Sequence, residues 1–298
     1  MIPIIIIVKI IEELGGIKYI GMALEPLMQL VGLPASMGLV WATTMITNIY
    51  GGMIIFISTS ANETLTVAQV TILGGMMLFA HSLPIEVRIA QKAGIRVIYT
   101  LILRIGGALL LGILLHQIYT TGDFLTETNN ALWKPQITND DSLLSWTVTQ
   151  LKTLLQVFLI ISVLVVFLRL LKLSHIERLL AFLLRPLLKI LGLSKESTSI
   201  TIIGITLGLT YGGGLLINES QSGRISQMDV FGSMTLLALC HSIIEDTLLI
   251  MLLGADISGA LYFRVLLALL MTTVVIYFVK KLNNTTFTRY FVYSKNQA

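Results

Sequence analysis

Long apolar segments separated by short polar ones run along most of the chain. Their approximate bounds are 2–14, 35–57, 66–92 and 96–118 in the first half, and 152–173, 197–217, 228–253 and 259–280 in the second. Several of them reach the roughly 20 residues that an α-helix needs to cross a bilayer. Each half also has an amphipathic stretch with a central proline, at 17–33 and 175–193. The pattern predicts an all-α polytopic membrane protein.

The composition excludes the soluble classes of protein. Hydrophobic residues make up 55% and charged residues 12% of the 298 residues, whereas a soluble protein is roughly 25% charged. A soluble enzyme, a disordered chain and a disulfide scaffold are therefore not expected. Cys240 is the single cysteine, so an intrachain disulfide or a CxxC metal site cannot form. The chain has no basic stripe with aromatic residues, so nucleic acid is not an expected partner.

A repeat with a spacing of about 160 residues divides the chain. Residues 25–33 match residues 185–193, and a Tyr-Gly-Gly motif at 50–52 recurs at 211–213 with a spacing of 161. The other matches are Gly32 with Gly192, His81 and Ser82 with His241 and Ser242, Glu86 with Asp246, and Arg104 with Arg264. We therefore predict a first repeat (1–119), a polar linker (120–150), a second repeat (151–281) and a tail (282–298).

Basic residues predict which segments cross the membrane, because they accumulate on the cytoplasmic side. Three basic clusters are Arg88, Lys92 and Arg96; then Arg169, Lys172, Arg178, Arg185, Lys189 and Lys195; and finally Lys280, Lys281, Arg289 and Lys295. All three are cytoplasmic only if 35–57 and 197–217 enter the membrane and return on the same side. This predicts two re-entrant hairpins in a multi-pass inner (plasma) membrane protein, with the linker external and the C-terminus cytoplasmic. It leaves open whether residues 1–14 span the membrane.

An odd number of crossings per repeat inverts the second half relative to the first. Each half is then an interfacial helix, a re-entrant hairpin, a broken transmembrane helix and a further transmembrane helix. Unwound hairpin tips are predicted at 47–52 and 210–214, where glycine tolerates irregular backbone. Inverted repeats with broken helices at the membrane midplane are typical of secondary transporters. In the alternative interpretation, the glycines let full spans pack closely.

Ionisable residues inside apolar spans indicate function, because they are costly there. His81 and Glu86 lie in the segment 66–92, and their repeat equivalents lie in 228–253. Within a helix, His241 and Glu245 share one face, and Pro84 frees a backbone carbonyl near His81. The candidate substrate-binding residues are Thr47, Asn48, Tyr50, Gly51, His81, Ser82, Glu86, Thr210, Tyr211, Gly212, His241, Ser242, Glu245 and Asp246.

Three interpretations of these residues are open. They bind a polar organic solute, they bind a divalent metal through His81, Glu86, His241, Glu245 and Asp246, or they form a structural network. Arg104 and Arg264 are expected to form ion pairs with the acids of their own half. No catalytic residue is predicted, because GxSxG, P-loop and HExxH motifs are absent.

The order of elements resembles the transport core of concentrative nucleoside transporters. Residues 187–197, continuing into 204–214, also resemble the Gate (nucleoside-recognition) segment shared by ferrous-iron permeases and spore-maturation membrane proteins. The resemblance implies hairpins that move as gates around a solute site. The polar hairpin motif of the nucleoside transporters has no match at Thr43, Thr44, Thr47 or Asn48, so the resemblance implies transport more than it implies a nucleoside.

The expected function is transport of a small, nucleoside-like polar solute by alternating access. The alternatives are a divalent transition-metal permease and a non-transporting scaffold or partner subunit. No resident cofactor is expected, and the coupling ion would be H⁺ or Na⁺. Histidine-driven coupling would change transport between about pH 5 and 8. The expected partners are the solute or ion and lipid, and a homo-oligomer is left open.

Overall fold

The described part of the molecule is helical throughout. The computed structural model describes residues 6, 10, 14, 16–60, 63–130, 143–173 and 176–293. Most of the segment 1–14 therefore lies outside the described residues. The helices are α1 (Gly16–Leu30), α2 (Met37–Ile46), α3 (Ile49–Ser60), α4 (Val67–Phe79), α5 (Leu83–Lys92), α6 (Val97–Gly122), α7 (Leu143–Leu173), α8 (Ile176–Ile190), α9 (Lys195–Leu207), α10 (Leu209–Ser222), α11 (Gln227–Leu239), α12 (Glu245–Leu252), a π-helical turn (Ser258–Phe263), α13 (Arg264–Val279) and α14 (Asn284–Tyr290).

Three elements in the described part are long and apolar enough to cross a membrane. They are Val67–Lys92, which comprises α4 and α5, then Val97–Gly122, and Ser258–Val279. Isolated bridges join Thr66 to Thr128 and Ile95 to Val292, and the described residues form no strand. The predicted all-α class is confirmed.

Two pairs of short helices occupy the predicted hairpin segments. Helix α2 packs on α3 across the link at Thr47 and Asn48, and α9 packs on α10 across Gly208. Gly208 has φ +95°, a conformation that L side chains rarely adopt. The prediction of a second tip at 210–214 is wrong, because these residues lie within α10. Gly212 serves packing instead, since it lies against the backbone of Gly204. The prediction of a first tip at 47–52 is correct only for Thr47 and Asn48, because residues 49–52 lie within α3.

Each of the two central elements breaks around its histidine. Helix α4 ends at Phe79 and α5 begins at Leu83, while α11 ends at Leu239 and α12 begins at Glu245. Ser82 and Ser242 take left-handed φ values of +49° and +46°. The prediction that His241 and Glu245 share a helix face is wrong, because the chain leaves the helix between them. Pro84 lies in the first turn of α5, where its missing N–H costs nothing.

The halves share further backbone features at the spacing of 160 residues. Gly32 and Gly192 have φ values of +70° and +72°, and Gly94 and Gly254 have values of +93° and +95°. The hydroxyl groups of Thr66 and Ser226 cap α4 and α11 by accepting from the backbone N–H three residues later. Capping by a side-chain oxygen satisfies one of the free donors at a helix start. The helices α4 and α11 therefore begin at corresponding positions.

Contacts between the halves are reciprocal. The ring of Tyr99 packs 5.1 Å from that of Phe231, and Gly259 lies against Thr71. These contacts correspond, because Phe231 is the equivalent of Thr71 and Gly259 is the equivalent of Tyr99. Reciprocity of this kind is what two-fold symmetry requires.

The equivalent helices α6 and α13 run antiparallel. The Oη atom of Tyr119, near the end of α6, lies 2.7 Å from the Oγ atom of Ser258, at the start of the other element. Gly107, near the middle of α6, lies against Met271 in α13. These contacts are the ones that an inverted repeat would make. How the halves sit across a membrane stays a prediction.

Segments at the ends of the two halves pack back onto the helices. In the predicted tail, α14 buries Phe287, and Arg96 donates to the carbonyls of Thr288 and Val292. In the predicted linker, the Asn129 side chain donates to the Leu253 carbonyl. Residues 131–142 and 294–298 lie outside the described residues.

Candidate functional site

Six buried ionisable side chains meet where the two central elements break. We call this group the central cluster; its members are His81, Glu86, Arg104, His241, Asp246 and Arg264. All six come from the two broken elements and the helices that follow them. The cluster thus lies between the halves, where the equivalent residues His81 and His241 contact each other.

The two imidazoles face each other with their Nε2 atoms. Nδ1 of His81 lies 3.1 Å from the Met77 carbonyl oxygen, and Nδ1 of His241 lies 2.7 Å from that of Leu237. A carbonyl oxygen only accepts, so we assign the ring proton to Nδ1 in both residues. In a neutral imidazole Nε2 is then an acceptor. The two Nε2 atoms lie 3.2 Å apart.

Glu86 supplies a third acceptor. Its Oε1 atom lies 3.1 Å from Nε2 of His81 and 3.3 Å from Nε2 of His241. We call these three atoms the acceptor triangle. With neutral imidazoles no atom of the triangle carries a hydrogen to donate, so three acceptor atoms lie within 3.3 Å of one another. An arrangement of this kind needs a proton or a cation at its centre.

Each arginine pairs with the acid of its own half and with a carbonyl at the break. Arg104 donates to the other oxygen of Glu86 and, from Nε, to the Phe79 carbonyl at 2.9 Å. Arg264 Nη2 donates to the His241 carbonyl at 2.7 Å and lies 3.4 Å from Asp246 Oδ2. The structure therefore contains both ion pairs that the repeat predicts. The guanidiniums also bind carbonyls that the broken helices leave free.

Several guanidinium nitrogens have no hydrogen-bond partner among the described residues. They are Nη2 of Arg104 and Nε and Nη1 of Arg264, and all three are buried. Buried polar groups in native proteins nearly always have a partner. Within the described residues, the cluster therefore has donors without acceptors and, while both imidazoles are neutral, acceptors without donors.

Both hairpins touch the central cluster or the breaks beside it. Tyr50 in α3 donates from its hydroxyl to Oε1 of Glu245 at 2.9 Å. The backbone N–H of Ser82 donates to the Thr44 carbonyl, and that of Ile243 donates to the Ile205 carbonyl. Any movement of a hairpin would change these contacts at the breaks.

The structure brings together only part of the predicted site. Tyr50, Ser82, Ser242 and Glu245 surround the four predicted members of the central cluster. Thr47, Asn48 and Gly51 bond with one another or with Thr43 at the first hairpin link. Tyr211 is 67% exposed, and Gly212 packs on Gly204. The side chain of Thr210 lies outside the described residues. Whether any of these residues binds a solute stays a prediction.

Two residues near the site were not among the predicted site residues. Gly208 links the second hairpin and lies next to the Ser242 hydroxyl, and Thr44 accepts from Ser82. Gly208 follows from the repeat, since it lies 160 residues after Asn48 in the first link. The Tyr-Gly-Gly motif, at its spacing of 161, instead pairs Asn48 with Leu209. In the structure Gly52 lies against Thr44 and Gly212 lies against Gly204. Gly52 and Gly212 are therefore equivalents, at a spacing of 160.

Replacing Gly208 with alanine is expected to destabilise the protein by about 1–3 kcal/mol, because a Cβ is strained at its backbone angles. It would also push on the Ser242 hydroxyl. Gly214→Ala is the matched control, since Gly214 is helical and has open space around it. The control should be neutral or slightly stabilising. Denaturant unfolding in detergent measures both, and equal stabilities would contradict the assigned role of Gly208.

Comparison with known proteins supports the membrane assignment. The chain is 28% identical over 284 residues to the uncharacterized membrane protein YvoD of Bacillus subtilis (strain 168), which covers 94% of this chain and 89% of that protein. No family model matches, and no solved structure matches. Together with the long apolar helices, this similarity places the chain among α-helical membrane proteins.

Proposed function

We propose that the protein is a secondary-type transporter that moves a small polar solute by alternating access around the central cluster. The two halves would act as inverted repeats, with α2–α3 and α9–α10 as re-entrant gates. The resemblance to Gate-segment proteins and to concentrative nucleoside transporters, together with the charge bias, supports this arrangement. The charge bias also favours an inner-membrane location, an external linker and a cytoplasmic C-terminus.

The observation that carries the proposal is the unsatisfied chemistry of the central cluster. A network that only joined the halves would be expected to pair its buried donors and acceptors, because an unpaired buried group costs about 1–3 kcal/mol. Among the described residues, three guanidinium nitrogens lack partners, and three acceptor atoms lie within 3.3 Å of one another. A bound solute and a bound cation would supply what each set lacks.

The unpaired nitrogens indicate the chemistry of the solute. Guanidinium N–H groups bind oxygen acceptors, including carbonyls, carboxylates and phosphates. A nucleoside-like compound, which the resemblance favours, offers carbonyl and hydroxyl oxygens. The proposal includes no catalytic step and no resident organic cofactor, and H⁺ or Na⁺ would be the coupling ion.

A divalent transition-metal permease is the second candidate function. It is favoured by one specific observation, the acceptor triangle, because imidazole and carboxylate are ligands of Fe, Mn and Zn. In this case the cation at the triangle would be the transported species rather than a coupling ion.

A ligand panel on the purified protein in detergent tests the transporter proposal. A ligand at a hundred times its Kd should stabilise the protein by about 2.7 kcal/mol. We expect a nucleoside or a related polar compound to raise the Tm of the wild type but not that of Arg264→Lys, which keeps the charge and loses the planar set of donors. The control is Arg224→Lys, since the Arg224 side chain is 65% exposed. A compound that stabilises should also be taken up by proteoliposomes, and binding without uptake would indicate a scaffold.

A further inference from the structure

We infer that the acceptor triangle is a binding site for one divalent transition-metal ion, held by Nε2 of His81, Nε2 of His241 and Oε1 of Glu86. The inference names the metal ligands for the second candidate function. It rests on the proposed transport only for what the bound ion does in the protein. Binding itself can be measured without transport, so the two can fail separately.

The spacing of the three atoms fits a shared metal ion. Nitrogen and oxygen ligands lie about 2.0–2.2 Å from Zn²⁺, so neighbouring ligands that subtend roughly 90–110° lie about 2.8–3.6 Å apart. The edges of the triangle are 3.1, 3.2 and 3.3 Å. All three edges fall within this interval. A proton on one imidazole would give the triangle a single donor, whereas a metal ion would bind all three lone pairs.

The surroundings of the ligands match those of metal sites. A histidine that binds a metal usually donates its other ring N–H to a carbonyl or carboxylate, which fixes the ring and its tautomer. His81 and His241 both do so, toward Met77 and Leu237. The second oxygen of Glu86 accepts from Arg104, so Oε1 is directed toward the imidazoles. Both rings and the carboxylate are thus oriented without the ion.

A fourth ligand lies close to the two histidines. One ligand atom from each histidine and one from Asp246 lie within 4.8 Å of one another. Asp246 is therefore the candidate for a fourth ligand.

The donor set selects the class of metal. Two imidazoles and one or two carboxylates suit Mn²⁺, Fe²⁺, Co²⁺ or Zn²⁺, whereas Mg²⁺ and Ca²⁺ prefer oxygen ligands throughout. We expect the purified protein to bind one equivalent of Co²⁺ with visible absorption bands, and Zn²⁺ to displace it. Mg²⁺ and Ca²⁺ in large excess should not displace it.

Variants of the cluster test the assignment. His81→Gln and His241→Gln should each weaken Co²⁺ binding by at least tenfold. His116→Gln is the matched control, because His116 lies in α6 against Gly32 and bonds to Thr120, away from the triangle. It should bind Co²⁺ as the wild type does. Equal losses in all three variants, or no loss in the two cluster variants, would overturn the site.

A second variant keeps the test decisive if the glutamine variants do not fold. His241→Cys in a Cys240→Ala background retains a ligand and should add a thiolate-to-Co²⁺ charge-transfer band in the near ultraviolet. Absence of that band in a folded variant that still binds Co²⁺ would overturn the inference. Failure of the wild type to bind any of the four metals, with a polar solute still stabilising it, would overturn the metal site and leave the transporter proposal standing. Metal binding without uptake of metal or solute would overturn the transporter proposal and leave the metal site standing.

Discussion

Replacing Arg104 with methionine is expected to lower the free energy of unfolding by about 3–5 kcal/mol, the usual cost of removing one partner of a buried ion pair. Arg104 is fully buried, and its guanidinium contacts both Glu86 and the Phe79 carbonyl. Methionine fills most of the same volume, so the loss would come from the unpaired carboxylate and the unbonded carbonyl. Equilibrium unfolding of the detergent-solubilised protein measures it.

Two controls separate the ion pair from the volume change. In the double variant Arg104→Met with Glu86→Gln, the uncompensated charge is gone, so much of the lost stability should return. Arg224→Met removes an exposed arginine whose partner is Glu219, and it should cost less than about 1 kcal/mol. A double variant no more stable than Arg104→Met alone would contradict this account of the pair.

The pairing itself could be predicted from the sequence. Arg104 and Arg264 repeat at the spacing that also relates Glu86 to Asp246 and His81 to His241. An arginine in an apolar span needs an acid, and the repeat leaves one acid in the corresponding place of each half. Two-fold symmetry lets a residue contact its own equivalent when both lie close to the axis, and the two histidines do so.

The helix breaks could not be predicted in the same way. Periodicity alone continues α11 through His241 to Glu245, and on that basis the two side chains share a face. The break is stabilised from elsewhere in the sequence, by Arg264 on the His241 carbonyl and by the Ile205 carbonyl on the N–H of Ile243. Tertiary contacts thus override the local pattern, and Glu245 bonds to Tyr50 instead.

The glycines also show that local sequence does not determine where the backbone leaves the helix. A run of three at 212–214 is the strongest local indication of a turn, yet all three residues are helical. The single Gly208 takes the unusual backbone angles, and the neighbour of Gly212 explains why a glycine is needed there. A glycine at a turn and a glycine at a helix crossing look alike in one sequence, because both are selected by the absence of a Cβ.

Replacing Gly212 with alanine is accordingly expected to destabilise the protein by at least about 2 kcal/mol, at the upper part of the range for overpacking. An added Cβ would meet the backbone of Gly204, which cannot move away as a side chain can. The helices α9 and α10 would have to separate, and the link at Gly208 would move relative to Ser242. Unfolding measurements on Gly212→Ala and on its neighbour Gly214→Ala give the comparison.

The first hairpin supplies a control with a different outcome. Gly52 occupies the equivalent crossing, but an added Cβ there would meet the Thr44 side chain first. Gly52→Ala should therefore be destabilising alone and largely rescued by Thr44→Ala, which removes the obstructing hydroxyl. No side chain at Gly204 is available to be truncated, so Gly212→Ala has no equivalent rescue. If Gly212→Ala were as stable as Gly214→Ala, α9 and α10 would not cross at these glycines, and α10 would not hold the position next to the cluster that a gate requires.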